Sequence, residues 1–197
     1  MRKLMACVVA LVATAAANAA VIDFNGLVGT GLVDRGFTYT EDGYTLTNLS
    51  TPFPFTSIHS GDSRYTGTPS FFNNTVNGLT RLTASDNSAF DLQSIALDSL
   101  NGGYNQTVTF TGFFAGGGTI VQAFMTDASF PGLQTFNFTG FTNLSRVEWT
   151  QTPNFHSFDN ITVQASDVPE PVSLLVFGGL VAGGGWLARR RMKAAVA

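Results

Sequence analysis

Two histidines, His59 and His156, are the imidazoles available for proton transfer, and they stand in unrelated contexts. A Ser-His-Asp arrangement needs its serine on a constrained turn, and no Gly-x-Ser-x-Gly occurs. No His-Glu-x-x-His or comparable spacing offers a metal site, and no glycine-rich phosphate loop leads into a helix. Asp and Glu could supply the carboxylate pair of a glycoside hydrolase, but position along the chain does not give their separation in space. The adjacent Glu41 and Asp42, directly before Gly43, read as a turn. No enzyme is therefore expected. Tyr39, Tyr44, Tyr65, Tyr104 and Trp149 have the ring faces on which a sugar could rest. Trp149 alternates with Val147, however, which points it into a core.

The elements that would position these residues are strands. Between Ile22 and Asp167 no helical period is visible, and Thr, Phe, Asn, Ser and Gly dominate. Apolar residues alternate with polar ones in Thr107-Val108-Thr109-Phe110-Thr111, Thr135-Phe136-Asn137-Phe138-Thr139, Arg146-Val147-Glu148-Trp149 and Asn160-Ile161-Thr162-Val163. Ile95 and Leu97 alternate with Ala96 and Asp98. Each run predicts a strand with one buried and one wet face. Gly116-Gly117-Gly118 predicts a hairpin joining the strand at Val108 to one over 119–125, with Pro131-Gly132 and Thr142-Asn143 marking later connections. Residues 51–78, with Pro52, Pro54 and Pro69, predict long loops holding one or two strands. Together these features predict an all-β fold, an antiparallel β-sandwich.

Both ends of the chain read as address labels. Met1-Arg2-Lys3, an apolar run from Leu4 to Ala16 and then Ala17-Asn18-Ala19 form a secretory signal peptide over 1–19, cleaved after Ala19. Cys7, the one cysteine, would leave with it, so the exported domain has no disulfide or thiolate site. At the other end Val168-Pro169-Glu170-Pro171 precedes an apolar run from Val172 to Ala188, followed by Arg189-Arg190-Arg191. Such a run sits at the lower limit for a transmembrane helix, and the arginines would hold its end in the cytoplasm. Between Val21 and Val168 twelve Asp and Glu face four arginines and no lysine. This acidity disfavours nucleic acid and anionic lipid as partners.

The tail resembles the PEP-CTERM sorting signal of Gram-negative bacteria, on the ordered parts Pro169-Glu170-Pro171, Val172 to Ala188 and Arg189 to Arg191. The resemblance implies an exosortase as partner and makes this chain its substrate. It divides the sequence into a signal peptide (1–19), an extracellular domain (20–167), a sorting signal (168–193) and a cytoplasmic end (194–197). Localisation would be the bacterial inner membrane before processing, then the cell surface or extracellular matrix. The domain is similar to those often joined to such tails in Ile22-Asp23-Phe24, Phe90-Asp91-Leu92-Gln93-Ser94 and Phe158-Asp159-Asn160-Ile161. That likeness implies a jelly-roll sandwich opening on a strand at Ile22–Phe24. It also implies a structural calcium between first and last strands at Asp23 and Asp159, whose oxygens suit a hard cation. The function expected is a non-catalytic structural or adhesive one. The alternative is a carbohydrate-binding module retaining exopolysaccharide, with a glycan hydrolase third.

Overall fold

The computed structural model describes residues 19–166. Ala17 and the rest of the leader before Ala19, and the tail with Pro169, Glu170, Pro171, Arg189, Arg190 and Arg191, lie outside the described residues.

The described chain is all strand and loop: β1 (Ala19–Ile22), β2 (Leu32–Gly36), β3 (Thr38–Glu41), β4 (Tyr44–Asn48), β5 (Phe55–Ile58), β6 (Ser70–Asn73), β7 (Leu79–Ala84), β8 (Phe90–Ser99), β9 (Thr107–Phe114), β10 (Thr119–Met125), β11 (Gln134–Asn137), β12 (Leu144–Thr150) and β13 (His156–Ala165). All pairings are antiparallel. One layer runs β2-β5-β6-β13-β8-β11, with β1 taking over from β6 along the second half of β13. The other runs β3-β4-β7-β12-β9-β10. A single pairing, Leu144 with Phe90, joins the layers and nearly closes the sheet on itself.

Alternation dictates this arrangement. On β4 Tyr44, Leu46 and Asn48 are buried while Thr45 and Thr47 face outward, and on β7 Thr80, Leu82 and Ala84 follow the same rule. The two inner faces meet in a phenylalanine-rich core. Trp149 from β12 meets Phe158 from β13 edge-on at 5.2 Å between ring centroids, and Phe24 stacks on Phe71 at 4.5 Å. Burial of each such side chain is worth about 1.5–3 kcal/mol.

The Gly116–Gly118 hairpin, the turns near Pro131 and Asn143, and two strands within 51–78 match the sequence reading. Glu41 closes β3, and Asp42 (φ 48°) with Gly43 (φ 81°) forms a two-residue turn into β4. Both central residues have positive φ, the backbone twist that suits a tight hairpin.

Two expectations need correction. β1 ends at Ile22, and Phe24 (φ 56°) instead turns back into the core. Ile95–Asp98 has no wet face, because Ala96 and Asp98 are buried as deeply as Ile95 and Leu97. Residues 59–69 roof the outer side of this layer, where Tyr65 and Phe155 pack on a second apolar cluster of Ile58, Phe72 and Leu100.

Candidate functional site

Among the described residues no segment covers the outer face of the β3-β4-β7-β12-β9-β10 layer, and its outward positions are mostly threonine. One row across it reads Thr38, Thr47, Arg81, Glu148, Thr111 and Val121 in consecutive register. Thr40, Thr45 and Thr83 form the next row on one side, and Thr107 and Thr109 continue along β9. These positions are threonine because a β-branched residue suits an exposed strand and its hydroxyl remains solvated.

A depression of about 350 Å³ lies on this face over the paired strands β9 and β12, bordered by Asn77 and Leu79. Thr107, Thr109 and Thr111 line it from β9, Glu148 and Thr150 from β12, and Thr152 from the connection that follows. Phe113 closes one end, but the Arg146 guanidinium covers its face at 3.6 Å from the ring centroid. The groove therefore offers hydroxyls and amides rather than an aromatic platform. Of the aromatic candidates, Trp149 and Tyr44 are core residues, Tyr39 and Tyr65 pack against apolar clusters, and Tyr104 stands exposed in a loop. The hydroxyl surface is not visible in any one alternating run, because it arises only when the runs are set side by side in register. Its signal was threonine at successive outward positions of adjacent runs.

The titratable groups are held in ways that oppose catalysis. Glu148, the carboxylate in the groove, is gripped by Arg81 at 2.7 Å and Arg146 at 3.0 Å. Ser57 meets His59 at 2.8 Å, but Arg35 also approaches His59 Nε2 at 2.8 Å. A guanidinium only donates, so Nε2 is an acceptor and His59 is the neutral Nδ1–H tautomer. Burial, then the Arg35 charge, lowers the His59 pKa, consistent with that form. Arg35 Nε donates to Ser57 Oγ at 2.7 Å, and Ser57 is fully buried. Its hydroxyl accepts from Arg35 and has His59 Nε2 and Val33 O to donate to, inside a packed network closed to substrate.

Asp98 and Asp159 come together where the sequence placed no pair. Asp98 faces Ser157 across β8 and β13 while Asp159 faces Ala96, so the two acids are diagonal neighbours on one face. The backbones of such neighbours lie about 7–8 Å apart, but neither carboxyl figures among the charges that shift the other. Both are also sealed from solvent, at 1% and 0% exposure, Asp159 under Thr68 and Asp98 beside Gly132. Burial, the largest cause, pushes each pKa up to about 6. His156 is likewise buried in β13, and burial lowers its pKa to about 3.

Asp23 and Asp159, the expected calcium ligands, come within electrostatic reach of each other and of Glu41. Asn25 engages both Asp23 oxygens, through its backbone N–H at 3.0 Å and its side-chain amide at 2.8 Å. Asp159 accepts from the Thr68 hydroxyl at 2.7 Å and the Asn160 N–H at 2.7 Å. Among the described residues no three His, Cys, Asp or Glu side chains gather as a metal-holding group.

No family model matches the chain, and no curated protein matches it. Among solved structures it is similar to a family 29 carbohydrate-binding module, with TM-score 0.37 and 13% identity over 81% of this chain and 99% of that one. It is also similar to the CBM22-1 xylan-binding domain of Paenibacillus barcinonensis Xyn10C, with TM-score 0.41 and 13% identity over 78% and 97%. A family 11 module from Clostridium thermocellum, in complex with a β-1,3-1,4-mixed-linked tetrasaccharide, gives TM-score 0.34 and 13% identity over 78% and 98%. Likenesses at these values decide nothing about ligand or activity.

Proposed function

We propose that this chain is an exported, non-catalytic surface protein that holds polysaccharide on the open face of the β3-β4-β7-β12-β9-β10 layer. The observation that carries this reading is the depression over β9 and β12, lined by hydroxyls from both strands, whose one lining carboxylate is paired with two arginines. A glycan presents many weak donors and acceptors along its length, and a strand face repeating a hydroxyl at every second residue complements it. The groove volume lies near the lower end of the usual range for ligand sites, about 300–1,000 Å³.

Export and sorting belong to the same proposal and rest on the sequence. The leader is removed after Ala19. An exosortase then acts near Pro169-Glu170-Pro171 while the apolar run and Arg189 to Arg191 delay release. Intact mass and cell fractionation, with and without the sorting enzyme, test this. A form lacking both ends and found outside the inner membrane only when the enzyme is present supports sorting; a retained tail in both strains opposes it.

Glycan arrays and calorimetry test binding with the full chain and with the Thr109→Val, Thr111→Val double variant. Each lost hydrogen bond is worth about 0.5–1.5 kcal/mol, so the double variant is expected to bind its polysaccharide about tenfold more weakly at unchanged melting temperature. Equal binding by parent and variant removes the groove from the function.

A further inference from the structure

The sandwich has a second concavity, on the outer side of the other layer and built differently from the first. Its volume is about 250 Å³, too small for more than about one sugar ring beside the usual site range. Phe72, Leu100 and Phe155 make an apolar floor, with the rings of Phe72 and Phe155 edge-to-face at 6.0 Å. Asn74, Asn101 and Arg64 supply the polar rim.

The rim is held in place before any ligand arrives. Arg64 donates to both Asp62 oxygens, at 2.7 and 2.8 Å, which fixes its plane and cancels its charge. Asn101 donates its Nδ2 to Asn154 O at 2.8 Å, leaving its Oδ1 available to accept. Phe155 sits at φ 56°, a backbone region costly for a bulky residue. The buried Gln106 amide clamps it there, donating to Phe155 O at 2.6 Å and Asn154 O at 3.2 Å. The ring is thereby held at the pocket floor against its own backbone preference.

An apolar floor ringed by amides and a neutralised guanidinium matches one chemistry: a ring with an apolar face and hydroxyls around its edge. We propose that this pocket seats the terminal ring of a neutral glycan, separate from the groove that lies along the chain's interior units. The inference rests on the polysaccharide reading for its ligand class. The absence of net charge at the rim selects a neutral sugar over a uronate, because a carboxylate would meet Asp62 as well as Arg64.

Ligand-detected saturation-transfer NMR on the full chain tests it, with methyl β-glucopyranoside, methyl β-galactopyranoside and methyl α-mannopyranoside as probes and glucuronate as the acidic control. At least one neutral glycoside is expected to bind at tens of millimolar or better. Asn74→Ala and Phe155→Leu are each expected to weaken it about fivefold or more, while Thr109→Val, Thr111→Val leaves it unchanged. Asn74 is fastened by its backbone N–H to Pro54 O at 3.3 Å, so Asn74→Ala remains informative if Phe155→Leu fails to fold. No signal from any neutral glycoside, equal binding of glucuronate, or binding indifferent to Asn74→Ala overturns the pocket. Polymer binding that still falls in the threonine double variant would then leave the groove standing alone. Glycoside binding at the pocket with polymer binding indifferent to the threonines would remove the groove and keep the pocket.

Discussion

Asp98 is almost fully buried, and the desolvation of its carboxyl outweighs the backbone N–H groups of Gly132 and Ser99 that favour the charged form. An acid whose folded pKa is raised keeps its proton longer when folded, so its penalty is absent below about pH 3.8 and complete above about pH 6. Asp98→Asn is therefore expected to raise stability at pH 7.5 by up to about 2–3 kcal/mol and to change nothing at pH 3.5. Paired thermal melts check this, and a loss at pH 7.5 would show that the carboxylate is favourably satisfied there. His156 has the opposite sign: its lowered pKa keeps it neutral in the fold, and stability drains as pH falls from about 6.5 toward 3. His156→Gln should flatten that acid limb in the same melts. None of this was legible in the sequence. Burial of Asp98 depends on cover from the distant loop that carries Asp127 and Gly132, and the alternation at Ile95–Asp98 matches that of an ordinary half-exposed strand. The local pair Glu41-Asp42 was legible because its turn is set by the next residue alone.

Among elements, the hairpins were the readable part. Asp42-Gly43 and Gly116-Gly117-Gly118 each lie between alternating runs, and the turn geometry follows from φ values that glycine adopts without strain. Gly43→Ala places a Cβ at φ 81° and is expected to cost about 1 kcal/mol or more; a urea titration reads it from the midpoint. Central strands were less readable. β5 and β6 are buried at every position, so no two-residue period marks a face, and the prolines around them resemble loop. Trp149 shows what the sequence did foresee: alternation with Val147 pointed it inward, and it is 2% exposed against Phe158. Trp149→Ala should cost about 3–5 kcal/mol in the same titration. The threonine face was legible strand by strand and invisible as a surface, because register between distant strands is set by the core.

At the scale of the whole domain, β1 lies antiparallel to β13, with Ala19 opposite Gln164. Both described ends thus leave from one pole, while Thr152 of the groove and Phe155 of the pocket belong to the connection that starts β13 at the other pole. The expected cut after Ala19 falls inside the first rung of β1. Cleavage is therefore expected to precede docking of β1, and a purified precursor should be processed by signal peptidase when unfolded and resist it once folded. Rapid cleavage of the folded precursor would show that β1 detaches easily. The same pairing has a mechanical consequence. A chain tethered beyond Ser166 and gripping a polymer at the far pole would put β13 under tension along its own axis. Its neighbours β8, β6 and β1 would then resist in shear, with rungs yielding together rather than one at a time.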